Sequence, residues 1–549
     1  MTAPTAESGG VGRASLLLAS GTVVSRILGF VSAVLLAQTI GTVGSGADTF
    51  ALANQLPNNI YAIVAGGVLS AVLVPQIVKA GLQEDGGQRF INRLITLGFV
   101  IFLAAAVLAT LAAPLLVSLY AQQAGPDGRG FTPEELALAT AFAYWCLPQV
   151  LFYALYSLFG EVLNARKIFG PFTWAPALNN VVAISGLLAF VLLFSLDVTN
   201  AAEWTPTMIT VLAGSATLGV AAQALVLLAF WRRAGLRYRP EFRWRGVGLG
   251  DTGRVAGWVF GMILVTQLAG IVQTNVATLA EAGDASLAVL RFSWLIFMLP
   301  HSVVTVSLAT AYFTRMSAHA RDGDRTALRA DISAALRTIL MIMTLAVVTL
   351  LVVSGPFARV FGGDDDAVEG MARVLSAYVL GLIPFSVLFV VQRVFYALGD
   401  TRTPFFMQCL QAGTFVAGAS VVATVPSEWI AVGLALVTSL AGTLQTVVGV
   451  LLLRRRLGGI GLRLIAQRTA IFALAAIPAS LLGLALAVAL GAFEGGAARS
   501  SELAAILSMV AIGSVMAITY AGGLAVLRVP ELRSMTDPLA RRLRRRPRS

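Results

Sequence analysis

Long apolar blocks, each wide enough to cross a lipid bilayer, dominate the chain. Hydropathy separates about fourteen of them. A helix needs about 20 apolar residues to span the hydrocarbon core. The blocks lie at about 14–40, 49–78, 94–120, 134–163, 172–196, 207–231, 255–280, 286–313, 332–354, 371–398, 404–425, 429–453, 469–491 and 502–527. The pattern predicts an all-α polytopic membrane protein with about fourteen transmembrane helices.

Composition agrees with a membrane protein. Of 549 residues, 57% are hydrophobic and only 12% are charged, whereas soluble domains carry about 25% charged residues. A single soluble core stops growing near about 250–300 residues, so it cannot absorb this much apolar surface. The net charge is +12, but the arginines sit at the ends of apolar blocks. We therefore expect no nucleic-acid partner.

The distribution of basic residues predicts the orientation in the membrane. Every second loop is basic, starting after the second block, and the opposite loops hold Arg129, Arg359 and Arg499 and few other cations. Basic loops stay in the cytoplasm, so both termini are predicted to be cytoplasmic. The polar segment 1–13 leads into an apolar block too long for a signal-peptide core. That block is interpreted as the first membrane helix, retained in the mature protein.

Two stretches of the chain resemble each other and indicate an internal repeat. Val162–Pro171 and Val394–Pro404 each end an apolar block, pass through a basic loop and restart at proline. Leu56-Pro57 and Leu299-Pro300 each interrupt an apolar block. The repeat predicts two six-helix lobes at 14–245 and 246–456, two further helices at 457–528 and a basic cytoplasmic tail at 529–549. Parallel repeats of this kind place a substrate path between the lobes.

Polar groups inside the apolar blocks are the candidate site residues. Arg26 lies about twelve residues into the first block, roughly 18 Å deep. It is either an anion-binding arginine in a hydrated cavity or a structural arginine with a carboxylate partner. Asp48 opens the second block as a helix cap or as a charge partner during transport. Asn58, beside Pro57, either repairs the proline kink or binds a polar headgroup.

A second set of candidates lies in the eighth block. Arg291 near its start is either a substrate contact or an anchor at the membrane surface. His301 follows Pro300, and a histidine beside a helix break is more often structural than a proton carrier. Gly29, Pro57 and Pro300 are the predicted hinge positions.

The chain lacks the motifs of an enzyme or a cofactor site. There is no phosphate-binding Gly-x-x-x-x-Gly-Lys-Ser/Thr loop and no nucleophile motif. The two cysteines, Cys146 and Cys409, lie inside apolar blocks, which suggests neither a disulfide framework nor a metal cluster. We expect no cofactor, no metal and no enzymatic activity.

Several short motifs, taken in order, resemble the MurJ (MviN) lipid II flippases of the multidrug/oligosaccharidyl-lipid/polysaccharide exporter superfamily. They are Ser25-Arg26-Ile27-Leu28-Gly29-Phe30, Ala47-Asp48-Thr49-Phe50, Leu56-Pro57-Asn58, Val74-Pro75, the stretch Leu163–Pro176, Leu299-Pro300-His301 and Gly399-Asp400-Thr401-Arg402-Thr403-Pro404. The resemblance covers essentially the whole chain, and its arginine bias and Leu-Pro-His motif look actinobacterial.

The resemblance implies a transporter in the bacterial plasma membrane. It would carry lipid II, the undecaprenyl-pyrophosphate-linked peptidoglycan precursor, from the inner to the outer leaflet by alternating access. Arg26 matches a cavity arginine that meets the pyrophosphate, and Asp48 and Asn58 match family positions too. The last two helices would help form a groove for the lipid tail. Membrane lipids are expected partners, while the coupling ion, the oligomeric state and any cell-wall synthesis partner stay open.

The chain also departs from the family pattern. Ser32, Tyr61 and Leu295 stand where many members have an arginine, and Gly66 replaces a glutamate. Arg291 lies one helical turn from Leu295 on the same face and is a candidate substitute. Two alternatives therefore stay open: a flippase or exporter for another polyprenyl-linked glycan or a small cation, and a non-transporting membrane scaffold for cell-wall enzymes.

Overall fold

The computed structural model describes residues 8–68, 87–126, 128–194, 200–242, 253–281, 283–493 and 496–533. Throughout these ranges the regular elements are helices, apart from one isolated bridge between Gln123 and Phe131. The predicted all-α class is confirmed. The all-α class follows from the lipid surroundings, because hydrocarbon offers no hydrogen-bonding partner to backbone N–H and C=O groups. A helix pairs these groups internally.

The chain forms two compact units, Met1–Ala288 and Val289–Ser549. The predicted lobes, 14–245 and 246–456, and the separate helices at 457–528 stay a prediction. Three of the segments named above lie outside the described residues in whole or in part, namely 1–7, Val74-Pro75 and the basic tail from residue 534.

The helices of the first unit are α1 (Ser8–Ile40), α2 (Ser45–Val68), α3 (Gln88–Leu111), α4 (Ala113–Tyr120), α5 (Pro133–Cys146), α6 (Gln149–Ala165), α7 (Gly170–Leu193), α8 (Pro206–Leu225) and α9 (Gly253–Ala277). Short 3₁₀ segments, Val226–Phe230 and Arg232–Ala234, follow α8. Helix α10 (Leu287–Pro300) begins at the end of this unit.

The helices of the second unit follow α10 after a π-helical turn, His301–Thr305. They are α11 (Val306–Arg321), α12 (Arg325–Val352), α13 (Ser354–Val360), α14 (Asp365–Val379), α15 (Leu382–Ala397), α16 (Arg402–Val422), α17 (Ile430–Leu457), α18 (Leu462–Ala489) and α19 (Glu502–Val526).

Within the described residues, twelve helical stretches are long and apolar enough to cross a membrane. Helices α14 and α15 make a thirteenth if this pair, bent by 41°, is one span. Helix α2 overlaps the predicted second block and is not among the twelve. A polytopic membrane protein is confirmed, and the count of about fourteen stays a prediction.

Several predicted blocks are pairs of helices with a break between them. The third block divides at Ala112, and the fourth divides at Leu147-Pro148. In the second unit the tenth block divides at Leu380-Gly381. Proline removes a backbone donor and clashes with the preceding turn, which explains the break at Pro148.

Side-chain caps fix where several helices start. At each of them a Thr, Asp or Ser side chain accepts a hydrogen bond from the backbone N–H three residues later, which satisfies one of the unpaired donors at a helix start. The capping residues are Thr132, Thr205, Asp324, Asp364 and Ser501.

The two repeated stretches end their helices with the same capping motif. At the end of α6, Ile168 N donates to Leu163 O at 2.9 Å, and Lys167 has a positive φ of 61°. At the end of α15, Asp400 N donates to Phe395 O at 2.9 Å, and Gly399 has a φ of 72°. Both are left-handed C-caps of the Schellman type. Lys167 is unusual there, because a side chain disfavours positive φ.

Asp400 starts the next helix of the second unit. Its carboxylate accepts hydrogen bonds from Thr403 N at 2.9 Å and from Thr403 Oγ1 at 2.8 Å, and it forms an ion pair with Arg456. Partial burial by itself raises the pKa of Asp400, but the bonds from Thr403 and the charge of Arg456 outweigh burial and lower it. Asp400 therefore caps the start of α16 and bridges it to α17.

The lowered pKa of Asp400 predicts a pH-dependent stability. The folded state favours the ionised carboxylate, so its contribution is present above the usual aspartate pKa and is lost as the pH falls through the folded value. We expect Asp400→Asn to lower the unfolding temperature at pH 7, with a cost of about 1 kcal/mol after solvent screening. The difference in unfolding temperature between Asp400→Asn and the unsubstituted chain should become smaller at the lowest pH that the purified protein tolerates. If this difference stays constant with pH, ionised Asp400 does not contribute to stability in this way.

An ionic cluster joins elements at one end of the second unit. Glu531, which is buried, contacts Arg337 Nη1 at 2.5 Å and Arg468 Nε at 3.8 Å. Arg337 lies on α12, and Arg468 lies on α18. The short segment after α19 is thereby fixed to two membrane helices. According to the predicted orientation this is the cytoplasmic end.

Small residues allow close helix packing in the first unit. A Cβ added at Gly219 of α8 would lie 2.4 Å from Asn179 Oδ1 and 2.9 Å from Asn179 O on α7. A Cβ at Gly186 of α7 would lie 2.1 Å from Ser215 Oγ on α8. In lipid, where apolar association has little driving force, such close approach supplies the packing energy.

This packing predicts opposite effects for two glycine substitutions. Gly219→Ala should destabilise the first unit by about 1–3 kcal/mol through overpacking. Gly270→Ala on α9 meets no atom within 4 Å and should be neutral or stabilising by about 0.5–1 kcal/mol, because alanine favours helix. Thermal unfolding of both purified variants in the same detergent checks the pair. Equal unfolding temperatures would show that the α7–α8 contact is not tight.

Candidate functional site

Arg26 lies in the middle of α1 and is half-buried. The turn that carries it packs on α7: Asn180 Nδ2 donates to Ser25 O at 2.8 Å, and a Cβ at Gly29 would lie 3.4 Å from the same nitrogen. The backbone beside Arg26 is therefore held by a membrane-embedded amide. Gly29 lies in an uninterrupted helix, and its role as a hinge stays a prediction.

Asp48 is buried at the start of α2, but it does not cap that helix. Its Oδ1 accepts a hydrogen bond from Ala288 N at 2.8 Å, in the first turn of α10. Nearby, Ser45 Oγ donates to Glu135 Oε1 at 2.5 Å. A carboxylate at a helix N-terminus is favoured by the unpaired N–H groups and the helix dipole. Asp48 thus joins the beginning of α10 to the beginning of α2.

This contact predicts a graded loss of stability. Asp48→Ala leaves the N–H of Ala288 without its acceptor and should cost about 1–3 kcal/mol. Asp48→Asn keeps an oxygen acceptor and should cost less. Thermal unfolding of the purified protein measures both, with Glu134→Ala, an exposed carboxylate nearby, as the control. If the alanine and asparagine variants both unfold like the control, the contact does not stabilise the unit.

Asn58 is exposed on α2 and lies on a polar face together with Tyr61. Tyr61 Oη and Ser157 Oγ are 2.5 Å apart, which connects this face to α6. Further along, Gln149 Nε2 lies 3.4 Å from Asn54 Oδ1. Asp48 is about ten residues from Asn58 on the same helix, roughly 15 Å along its axis. The structure therefore places Asn58 and Tyr61 together and Asp48 apart from them.

Pro57 and Pro300 have different effects on their helices. Helix α2 continues through Pro57, whereas Pro300 is followed directly by the π-helical turn His301–Thr305. Proline removes a backbone donor, and π-turns occur at functional positions of membrane and soluble helices. The turn at Pro300 is the stronger hinge candidate, and both roles stay predictions.

His301 is buried and has polar and aromatic partners. Its Nδ1 lies 3.3 Å from Ser386 Oγ, which also accepts from Thr305 Oγ1 at 3.0 Å. Its ring centroid lies 4.6 Å from that of Phe385 and 5.3 Å from that of Phe389. These contacts favour the structural interpretation, in which the imidazole connects the π-turn to α15.

Arg291 and Leu295 are both half-buried on α10, one helical turn apart. Their spacing is compatible with the prediction that Arg291 takes the place of the arginine that many family members have at the position of Leu295. The substrate contact predicted for Arg291 stays a prediction.

Several charged residues inside the predicted blocks were not recognised as candidates from the sequence, among them Arg393 and Glu161. Arg393 on α15 stacks on Phe389 at 4.9 Å and on Phe313 at 5.3 Å, an arrangement that stabilises a cation in a low-dielectric site. Glu161 lies on α6, half-buried. Both interrupt apolar blocks, so the criterion that selected Arg26 would have found them.

The helical architecture is similar to that of two solved membrane transporters. A structure of the lipid II flippase MurJ in an inward closed conformation superposes with a TM-score of 0.69 at 20% identity, covering 93% of this chain and 99% of that one. An inward-facing multidrug resistance transporter of the MATE family, from the MOP superfamily, gives a TM-score of 0.61 at 17% identity and covers 79% of this chain and 94% of that one. These likenesses define the fold class.

Sequence comparison identifies the family. The family model "Lipid II flippase MurJ" matches residues 36–508. A probable lipid II flippase MurJ of Haemophilus influenzae is 27% identical over 407 residues, 70% of this chain and 75% of the relative. One of Buchnera aphidicola is 26% identical over 393 residues, 70% of this chain and 72% of the relative. The chain belongs to the lipid II flippase MurJ family, a family of transporters.

Proposed function

We propose that the chain carries lipid II from the inner to the outer leaflet of the bacterial plasma membrane by alternating access. The observation that carries the proposal is the cation Arg26 in the middle of a membrane helix, within a chain whose residues 36–508 match the family model. A charge in that position is costly unless it serves a hydrated cavity or a ligand. The proposal contains no catalytic step and no cofactor.

Arg26 is the proposed contact to the pyrophosphate of lipid II. A guanidinium presents several N–H donors in a planar fork and stays charged at any physiological pH. Its hydrogen bonds to phosphate oxygens are charge-assisted and frequently bidentate. Asp48, Asn58 and Arg291 are proposed as further substrate-binding residues, with Asp48 acting through its contact with the start of α10.

The last two helices are proposed to contact the lipid tail. Helix α18 exposes Leu474, Ile477, Leu481 and Val488, and α19 exposes Leu503, Leu507 and Val510. Such apolar surface is compatible with acyl and polyprenyl chains. The basic loops favour a cytoplasmic position for both termini, which is part of the proposal. A coupling ion and cell-wall synthesis proteins are further partners that the proposal leaves to experiment.

A replacement assay tests the proposal. The gene is expressed in cells depleted of their own lipid II flippase, as the unsubstituted chain, Arg26→Ala and the control Arg233→Ala. Arg233 is exposed and stacks on Phe230, so the control removes one positive charge outside the membrane helices. An externally added toxin that cleaves lipid II then reports whether the substrate reaches the outer leaflet.

We expect cleavage with the unsubstituted chain and with Arg233→Ala, and at least a tenfold loss with a normally inserted Arg26→Ala, as for loss of a charge-assisted contact to a phosphate. Cleavage with all three chains would keep the function and remove the role of Arg26. No cleavage with a well-inserted unsubstituted chain would contradict lipid II flipping.

A second candidate is a flippase for another polyprenyl-linked glycan. The neutral Tyr61, at a position where the resemblance implies an arginine, favours this alternative, because fewer cations bind a pyrophosphate more weakly.

Growth that survives substitution of Arg26 but fails when loops are deleted would instead favour a membrane scaffold for cell-wall enzymes.

A further inference from the structure

Helix α6 carries a hydrogen-bonding side chain at every fourth position along one face. The residues are Gln149, Tyr153, Ser157 and Glu161. Side chains four residues apart are neighbours on a helix surface, so these form one continuous row about 18 Å long. Gln149 is buried, and the other three are half-buried.

Helix α2 places a matching row beside it, made of Asn54, Asn58 and Tyr61, which share a face at helical spacing. Two contacts join the rows: Gln149 Nε2 to Asn54 Oδ1 at 3.4 Å, and Tyr61 Oη to Ser157 Oγ at 2.5 Å. We call these seven residues the polar seam. Both helices lie in the first unit.

The polar seam combines two aromatic faces with unused hydrogen-bonding groups. The rings of Tyr61 and Tyr153 lie 6.0 Å apart, centroid to centroid, at an angle of 42°. Within the described residues, neither the Asn58 amide nor the Glu161 carboxylate forms a hydrogen bond or an ion pair with another side chain. The amide supplies both donors and acceptors, and the carboxylate supplies acceptors alone.

This set of groups fits a sugar better than a phosphate. No arginine or lysine belongs to the polar seam, and the carboxylate would repel an anion. A saccharide presents hydroxyl and acetamido groups that donate to carboxylate and amide oxygens, and C–H faces that pack on tyrosine rings. Tyrosine offers such an apolar face together with a polar hydroxyl.

We propose that the polar seam binds the glycan portion of the lipid-linked substrate, while cationic residues elsewhere bind its pyrophosphate. The inference rests on the proposed function and adds to it a specificity-determining surface for a hydroxyl-rich saccharide. It also gives Tyr61 a role in place of the arginine that the family pattern implies, because the tyrosine contributes a ring and a hydroxyl to the sugar instead of a charge to the phosphate.

The test measures how much the glycan adds to binding. Native mass spectrometry of the purified full-length protein gives apparent Kd values for three lipids: undecaprenyl pyrophosphate, the same lipid bearing the disaccharide without peptide, and complete lipid II. The quantity of interest is the ratio of the first Kd to the second. The variants are Tyr153→Phe and Glu161→Gln.

Tyr156→Phe is the matched control. It removes a hydroxyl from the same helix three residues away. Tyr156 Oη donates to Phe172 O at 3.0 Å and its ring stacks on Phe172, outside the polar seam, whereas Tyr153 Oη donates to Gln149 Oε1 at 3.3 Å within the polar seam. We expect Tyr153→Phe and Glu161→Gln each to lower the ratio roughly three- to tenfold, as for loss of one hydrogen bond. Tyr156→Phe should leave it unchanged, and all variants should keep their affinity for undecaprenyl pyrophosphate, which shows that they are folded.

Three results would overturn the inference. An unchanged ratio in both seam variants removes the polar seam from glycan binding. If only complete lipid II binds more tightly than undecaprenyl pyrophosphate, and the lipid bearing the disaccharide does not, the protein recognises the peptide and not the glycan. If the unsubstituted protein binds none of the three lipids better than ordinary phospholipid, the proposed function fails and the inference fails with it. If the inference fails but the proposed function holds, the protein still binds undecaprenyl pyrophosphate normally.

Discussion

The structure depends on one constraint, the pairing of every backbone N–H and C=O inside a solvent that pairs with none. Helices satisfy it along most of the chain, and the exceptions are local repairs. Asp48 accepts from the first turn of α10, the ends of α6 and α15 fold back into left-handed caps, and Pro300 is followed by a π-turn that His301 and Thr305 connect to Ser386. Several of the polar side chains inside the membrane therefore lie where helices begin, end or break.

Electrostatics follows from the same constraint. Charges outside the apolar stretches form ion pairs in partly hydrated surroundings, such as Asp400 with Arg456. Within the stretches charges are few, so each one is informative. Arg393 is stabilised by two aromatic rings, and Arg26 lies beside a turn that an asparagine of α7 holds. The isolated cations and the polar seam, which contains no cation, are thus built differently, as binding of a phosphate and of a sugar would require.

Much of the architecture could be predicted from the sequence, because the length of the apolar blocks acts through the bilayer and not through specific contacts. Individual partners could not. Asp48 was expected to cap its own helix or to pair with a charge. Its carboxylate instead accepts a hydrogen bond from the backbone N–H of Ala288, 240 residues away. The break at Ala112 inside the third block is marked by Pro114, in the first turn of α4, a signal that was not used to divide the block. Glu161 and Arg393 were visible as charges in apolar blocks, but their significance needed the neighbouring rows and rings. The roles of Arg26, Asn58 and Arg291 remain predictions, since contacts to a substrate are not encoded in spacing.

The π-turn His301–Thr305 has an evolutionary consequence. Such a turn holds one residue more than the α-helical turn it replaces and absorbs it locally, so the residues beyond it keep the faces that a regular helix one residue shorter would give them. Deleting a single residue there would restore a regular helix and leave the faces of Val306–Arg321 towards their present neighbours. The same deletion elsewhere in the helix would turn every later side chain by about 100° around the helix axis. A one-residue gap between relatives should therefore be tolerated at this turn and selected against in the flanking helices.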